Sequence, residues 1–248
     1  IGVASYIYNA ILGKKRNYVL KDPYLGPCFS NDEIKKFLED SQIIFHKIED
    51  NTDLVRKTAR MIKDNKVIGW FQGGMEWGPR ALGARSILSN ACNKKMKDIL
   101  NLKVKHREKF RPFAPAVCAD DANRYFECDS PLPMSTDFML MVYPVKKEYR
   151  KHIPSVTHVD GSGRLQTVKR EQNQLYYNLI KEFGRISGTP ILINTSFNIR
   201  GEPIVCTPYD AYKCMMGTGI DSLIMGNFII NRDENLRDSW NSEMYALD

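Results

Sequence analysis

The sequence lacks the signatures of most metal-binding, redox and membrane proteins. Its 248 residues include six cysteines and four histidines, but no two cysteines form a C-x-x-C pair and the histidines are dispersed. This spacing indicates no metal site. Free thiols in a reducing compartment are the simplest interpretation, so we expect a cytoplasmic location. No apolar run approaches the roughly 18 residues that a membrane span needs, and we expect no membrane partner.

Common catalytic motifs are missing as well. The sequence contains no G-x-S-x-G elbow, no H-E-x-x-H pair and neither of the glycine-rich loops that bind dinucleotides or nucleoside triphosphates. An obvious pair of nucleophile and base is also absent. A site in this chain would therefore work by positioning its substrate and neutralising phosphate oxygens.

The composition is that of a globular protein with a surplus of positive charge. Hydrophobic residues make up 43% and charged residues 26% of the chain, which excludes wholesale disorder and a coiled coil. Lys and Arg number 36 against 29 Asp and Glu, a formal charge of +7. The surplus favours anionic partners such as phosphates, nucleotides or nucleic acid, although an ordinary basic surface would give the same count.

Helical and strand-like patterns alternate along the chain. The capping box from Ser30 to Glu33 predicts a helix that ends near residue 39, and another helix is expected to begin near Pro79. Periodicity predicts further helices over residues 1–12, 52–65, 96–102, 119–126, 172–188 and 208–217. Apolar runs predict strands over 43–45, 66–72, 113–118, 138–144, 165–169, 190–193 and 222–230. This alternation predicts an α/β fold, followed by a loose polar tail over 231–248.

A glycine-containing loop follows the predicted strand 66–72. It reads Gly-Gly-Met-Glu-Trp-Gly-Pro and leads to Arg80 and Arg85. A helix that begins near Pro79 would present free backbone N–H groups, and the two guanidinium groups would add bidentate contacts to phosphate or carboxylate oxygens. The alternative is a structural turn with surface arginines.

The most basic segment covers residues 103–111, and the sequence Arg-Pro-Phe-Ala-Pro over 111–115 ends it. The prolines favour extended backbone. Alternating cations on such a segment, among them Lys105, Arg107 and Arg111, would project on one side, where a triphosphate could lie. A basic surface loop is the alternative.

A tight turn precedes the predicted strand 165–169. It holds His158 and Asp160 and leads to Arg164. A hairpin turn with a hydrogen-bonded aspartate explains the pattern without any ligand, and a lone histidine is weak evidence for a general base.

Amide and hydroxyl side chains follow the buried strand 190–193. Asn194, Ser196 and Asn198 would lie at the carboxyl end of that strand, where open α/β sheets bind ligands. They offer neutral hydrogen bonds to a planar, uncharged group such as a carbamoyl group or a nucleobase. An Asx-rich turn that caps its own backbone is the alternative.

These motifs, taken in this order, resemble one family. The segments 71–88, 105–115, 159–168 and 194–204 together resemble the C-terminal part of the O-carbamoyltransferases of the NodU/CmcH/TobZ type, which includes nodulation and antibiotic-tailoring enzymes. The resemblance covers about residues 23–230. It implies a YrdC/Sua5-like fold, a twisted open mixed sheet flanked by helices.

The resemblance also implies a division into domains. Residues 23–230 would be the YrdC-like domain, and residues 1–22 the terminal helix and linker left from an upstream ASKHA/Kae1-like domain. The first residue is Ile rather than Met, and we expect the chain to be a piece of a longer protein. Fe²⁺ or a similar metal, and the site for a hydroxyl-bearing small-molecule acceptor, are expected only in the upstream domain. A homodimer is compatible with the resemblance.

The activity implied by the resemblance is formation of carbamoyladenylate from carbamoyl phosphate and ATP, with Mg²⁺. The residues implied as catalytic are Lys105, Arg80 and Arg111. Those implied in binding substrate or nucleotide are Arg85, Arg107, Arg164, Asn194, Ser196 and Asn198. The alternative is a double-stranded RNA or tRNA binding module without catalysis, although the aromatic-interleaved basic patterns of common RNA modules are missing.

Overall fold

The computed structural model describes residues 1–108 and 110–235. Its described residues contain nine strands in one mixed sheet, in the spatial order β1-β9-β8-β2-β3-β7-β4-β6-β5. The pairs β2–β8 and β4–β6 are parallel, and the other neighbouring pairs are antiparallel. The strands are β1 His46–Lys47, β2 Ile68–Phe71, β3 Arg85–Asn90, β4 Ala114–Cys118, β5 Met141–Pro144, β6 Ser162–Val168, β7 Ile191–Ser196, β8 Ser222–Met225 and β9 Phe228–Asn231.

Helices follow most of the strands, and side chains cap the longer ones. The predicted capping box is present, because Ser30 Oγ accepts from the Glu33 N–H and the Glu33 carboxylate accepts from the Ser30 N–H. The helices are α1 Gly2–Tyr6 with a π-helical continuation Ile7–Ile11, α2 Asn31–Asp40, α3 Asn51–Lys63, α4 Met96–Lys103, α5 Ala122–Tyr125, α6 Gln174–Ser187 and α7 Pro208–Met216. Single 3-10 turns lie at Ala119–Asp121, Met134–Thr136, Lys147–Tyr149 and Asp233–Asn235.

The sheet carries helices on both faces, because its central strands are apolar on both sides. In β7, Leu192 packs with Trp70 and Phe183 in the cluster under α3 and α6. The neighbouring Ile191 and Ile193 join the larger cluster that includes apolar residues of α2, α4 and α7. Side chains on a strand alternate between faces, so this continuous apolar run buries both of them.

The two ends of the described chain differ in packing. No residue of Gly2–Ile11 is buried, although Val3, Ile7 and Ile11 are apolar. At the other end, Asn235 is buried, and its side chain exchanges two hydrogen bonds with the backbone of Ile44. Within the predicted polar tail, residues 231–235 therefore pack on the sheet, and residues 236–248 lie outside the described part of the chain.

One predicted element is wrong. No helix begins near Pro79; residues 79–84 form an irregular loop that leads into β3, a fully buried strand that the sequence analysis missed. Gly83 has a φ of +108° in this loop, a conformation outside the helical region. The predicted strand 43–45 also lies slightly later, at β1. Among the described residues, no helix is long and apolar enough to cross a membrane.

Gly83 generates a stability prediction. A Cβ at this position would lie 2.3 Å from the buried ring of Tyr176, whereas Gly188, which also has positive φ, faces open space. We expect Gly83→Ala to lower the free energy of unfolding by about 3 kcal/mol or more, through steric overlap added to backbone strain. Gly188→Ala should cost only about 1 kcal/mol, from strain alone. Urea denaturation of both variants tests this, and equal losses would contradict it.

Candidate functional site

A cavity of about 130 Å³ lies at one edge of the sheet, where β4 and β6 begin and β7 ends. Arg80, Arg107 and Arg164 line it together with Asn194 and Ser196. None of its lining residues in the described chain is an aspartate or a glutamate. The remaining lining residues are Pro79, Ala81, Pro112, Phe113, Ala114, Met139 and Thr195.

The positive charges at this cavity repel one another. Burial lowers the pKa of Arg164, and the charge of Arg80 lowers it further. Burial also lowers the pKa of Arg107, where Arg111 and Arg164 add to the effect and Glu108 opposes it. Guanidinium groups stay protonated in proteins, so the crowding persists at neutral pH. An anion bound among these residues would relieve it.

Of the arginines that line the cavity, Arg164 has a buried donor without a described acceptor. Arg164 Nε is buried and has no hydrogen-bond acceptor among the described residues. Arg107, in contrast, is held in place from behind: its Nε donates to Asn101 Oδ1 at 2.8 Å, and its guanidinium lies 4.8 Å from the centre of the Phe113 ring. The cavity therefore combines a fixed guanidinium with one whose buried N–H is available to a ligand.

Asn194 lies at the cavity with its amide orientation fixed. The side chain is 1% exposed. Its Nδ2 donates to Ala81 O at 3.0 Å and to Gln166 Oε1 at 2.5 Å. Its Oδ1 is buried and accepts from no described donor. A buried amide oxygen without a donor is costly, and a ligand N–H would satisfy it.

Lys105 lies next to the cavity but does not line it. Its buried ammonium group donates to the backbone oxygens of Ser196 and Asn198 at 2.6 and 3.0 Å, and to Asn198 Oδ1 at 2.7 Å. Burial lowers the pKa of Lys105 to about 7, against its usual value near 10.5. In this position the lysine holds the end of β7, with Ser196 at the cavity wall.

Arg85 lies away from the cavity and is completely buried. Its guanidinium stacks 3.6 Å from the centre of the Phe71 ring. Burial lowers its pKa to about 10. Its N–H groups donate to four backbone carbonyls, those of Pro27, Gln72, Gly73 and Ala84, at 3.0 to 3.1 Å. The two arginines of the first motif therefore occupy different environments: Arg80 at the cavity and Arg85 inside the fold.

Three other polar residues of the predicted motifs do not line the cavity. Arg111 is exposed and pairs with Glu108 at 3.5 Å. It is close enough to Arg107 to affect its pKa, but it does not line the cavity. Asn198 is used within the protein, where its Nδ2 donates to Glu202 O at 2.8 Å. Asp160 accepts from Ser162, as expected for a hydrogen-bonded turn.

The basic segment 103–111 is not the regular extended stretch that the sequence analysis expected. His106 has a φ of +44°, which interrupts the alternation of side chains between Lys105 and Arg107. Lys105 is consequently buried beside the end of β7, while Arg107 lines the cavity. Of its described residues, the segment thus supplies one cation to the cavity, Arg107, rather than a row of them.

Sequence reasoning missed two contributors. Gln166 belongs to one of the motifs, but the sequence analysis assigned no role to it. Its position two residues after Arg164 on the same strand was the available signal, because it places both side chains on one face of the sheet. Glu76 lies in the first motif, and its Oε1 accepts from the N–H groups of Leu82 and Ala84 at 2.6 and 2.7 Å. Its buried carboxylate therefore holds the loop that carries Arg80.

The geometry defines an α/β domain with an arginine-lined cavity. A family model, "Carbamoyltransferase C-terminus", matches residues 59–232. Nodulation protein NolNO of Sinorhizobium fredii is 40% identical over 253 residues, covering 100% of this chain and 36% of that protein. An uncharacterised protein of Synechocystis is 42% identical over 256 residues, covering 93% and 41%. Full-length HypF in its phosphate- and nucleotide-bound form gives a TM-score of 0.51 at 17% identity, covering 72% and 26%.

The chain belongs to the carbamoyltransferase C-terminal family. The family resemblance is confirmed, and so is the predicted α/β fold with an open mixed sheet flanked by helices. The chain spans between 36% and 41% of the length of the two relatives.

The two arginines of the first motif generate opposite predictions. We expect Arg85→Met to lower the free energy of unfolding by about 3 kcal/mol or more, because four backbone carbonyls lose a hydrogen bond from the guanidinium and the Phe71 ring loses its stacked cation. Arg80→Met, at an exposed position, should change it by no more than about 0.5 kcal/mol and should weaken phosphate binding. Chemical denaturation and phosphate titration of both variants test this. A stable Arg85→Met variant would contradict the structural role.

Lys105 generates a pH-dependent prediction. Between pH 7 and about pH 10 the unfolded chain holds a proton on Lys105 that the folded chain has released, so wild-type stability rises with pH through this group. Lys105→Met lacks this contribution. Urea unfolding of both proteins at several pH values should show the wild-type stability rising relative to the variant as pH increases. Parallel curves would disprove the shifted pKa.

Proposed function

We propose that the cavity binds carbamoyl phosphate. The observation that carries the proposal is the composition of its wall: three arginines without a described carboxylate, a buried Arg164 N–H without an acceptor, and the Asn194 oxygen without a donor. The guanidinium groups suit the phosphate and the amide oxygen suits the carbamoyl NH₂. Membership of the carbamoyltransferase family supports this match of charge and hydrogen bonding.

The proposed reaction is formation of carbamoyladenylate. Water releases carbamate and inorganic phosphate from carbamoyl phosphate. A carbamate oxygen then forms a bond to the α-phosphorus of ATP, and the bond from that phosphorus to the oxygen bridging to the β-phosphate breaks, releasing pyrophosphate. Cavity arginines would stabilise the negative charge, as positioned cations do in phosphoryl transfer.

The size of the cavity limits what it holds. A volume of about 130 Å³ suits a small acyl phosphate rather than a whole nucleotide. ATP would therefore lie mainly outside the cavity, where the exposed Arg111, whose charge acts on Arg107, would contact its phosphates. Lys105 and Arg85 would act indirectly, because their N–H groups are engaged by protein oxygens.

The described residues offer little for a protein-held metal. They contain no cluster of three or more His, Cys, Asp or Glu side chains placed to hold an ion. Mg²⁺ prefers carboxylate, water and phosphate oxygens, and the described cavity wall has no carboxylate. Mg²⁺ would therefore arrive with ATP, bound to its phosphates. An Fe²⁺ site remains a proposal for an upstream domain.

The wider proposal follows from the family. The adenylate would pass to an upstream ASKHA/Kae1-like domain, where a hydroxyl-bearing small molecule is carbamoylated. Arginines that converge on a small cavity suit a compact anion better than a duplex, so the structure gives no support to the RNA-binding alternative.

The decisive measurement is ATP–pyrophosphate exchange by the full-length protein. We expect exchange that depends on carbamoyl phosphate, and Arg80→Ala should lower it by about 100-fold, because one cation of the charge-stabilising set is lost. Lys57→Ala is the matched control, since Lys57 is exposed on α3 and away from the cavity. Folded protein without exchange, or an unaffected Arg80→Ala variant, would refute the proposal.

A further inference from the structure

We propose that two buried amides, those of Gln166 and Asn194, make the cavity select carbamoyl compounds over acyl phosphates of the same shape that lack an N–H group. Gln166 would act as a positioning residue, since it does not line the cavity. This inference rests on the proposed function, and it adds that the site recognises the N–H group of the carbamoyl moiety.

The orientation of Gln166 is set by a backbone carbonyl. Gln166 is 2% exposed, and its Nε2 donates to Leu82 O at 2.8 Å. A carbonyl oxygen only accepts hydrogen bonds, so the NH₂ end of the amide must face it. The opposite end, Oε1, then faces Asn194.

The orientation of Asn194 follows from two acceptors. The NH₂ group of an amide has two hydrogens, and both are used here, one by Ala81 O and one by Gln166 Oε1. Turning the amide over would place its oxygen against both of these oxygens. Oδ1 is therefore the remaining polar atom of a residue that lines the cavity, and it is buried without a described donor.

This arrangement discriminates by hydrogen bonding rather than by size. A carbamoyl group presents an N–H where an acetyl group of almost the same shape presents a methyl group. The N–H group donates a hydrogen bond to Asn194 Oδ1. The methyl group leaves this oxygen buried without a donor, which is costly. A site that hydrogen-bonds a polar group of its ligand strongly rejects an analogue without that group. An apolar pocket that discriminates only by size achieves a smaller preference. We expect a preference of about 10- to 100-fold.

The test uses two stable probes, phosphonoacetamide and acetonylphosphonate. In both, a methylene group replaces the bridging oxygen, and they differ only in NH₂ against CH₃. Isothermal titration of the full-length wild-type protein should show at least about 10-fold tighter binding of the amide probe. Asn194→Leu should abolish the preference while the ketone probe still binds, because the arginines remain.

Gln166→Met tests the positioning role. It leaves Asn194 and the arginines in place but removes the acceptor that helps to fix the Asn194 amide, so the preference should fall at least about threefold with little change for the ketone probe. Gln72→Met is the matched control: its Nε2 also donates to a backbone carbonyl, that of Gly226, at 2.8 Å, but it does not contact Asn194. The control should keep the preference even if its stability falls.

The outcomes separate this inference from the proposed function. Wild-type protein that binds neither probe nor inorganic phosphate would refute the anion site itself. Equal binding of both probes would overturn the selectivity and leave the anion site standing. A preference that survives Gln166→Met but not Asn194→Leu would overturn the role of Gln166. Loss of the preference in both Asn194→Leu and Gln166→Met, with the preference kept in Gln72→Met, supports the roles of both amides.

Discussion

The site depends on a buried loop that has no regular secondary structure. Residues 81–84 are all buried, and their peptide groups cannot be left without partners away from water. Side chains therefore supply most of these partners. The carbonyls of residues 81–83 accept from Asn194, Tyr24, Gln166, Trp70 and Asn173, and the N–H groups of residues 82–84 donate to Glu76 and Ser86.

This requirement links the interior of the fold to the cavity. Asn194 and Gln166 donate their NH₂ groups to carbonyls of the loop, and the Asn194 oxygen remains without a described donor. The same loop carries Arg80, whose position follows from the anchoring of its neighbours. A single network of hydrogen bonds thus fixes the position of the Arg80 loop and the orientation of the Asn194 amide.

The sequence predicts the fold well and the site only in part. Long periodic helices such as α3 and α6, and buried strands such as β4, follow from local pattern, because burial on one or two faces dictates the residue types. The strand β3 was missed because Pro79 and the following residues resemble a helix start. Only the full structure shows that Glu76, distant side chains and Gly83 hold that segment as a loop. Contacts between residues far apart in sequence are not readable from spacing.

The cations of the motifs fall into two groups that spacing cannot separate. Arg85 and Lys105 donate most of their N–H groups to protein oxygens inside the fold, although burial lowers the pKa of both. Arg80, Arg107 and Arg164 instead share a cavity without a described carboxylate, where the charge of Arg80 lowers the pKa of Arg164 and the charge of Arg164 lowers the pKa of Arg107. A buried cation whose N–H groups donate to protein oxygens has few of them left for a ligand, whereas cations that share a cavity without a carboxylate favour an anion. The distinguishing property is the set of acceptors around each group, and it places the binding chemistry with the second group.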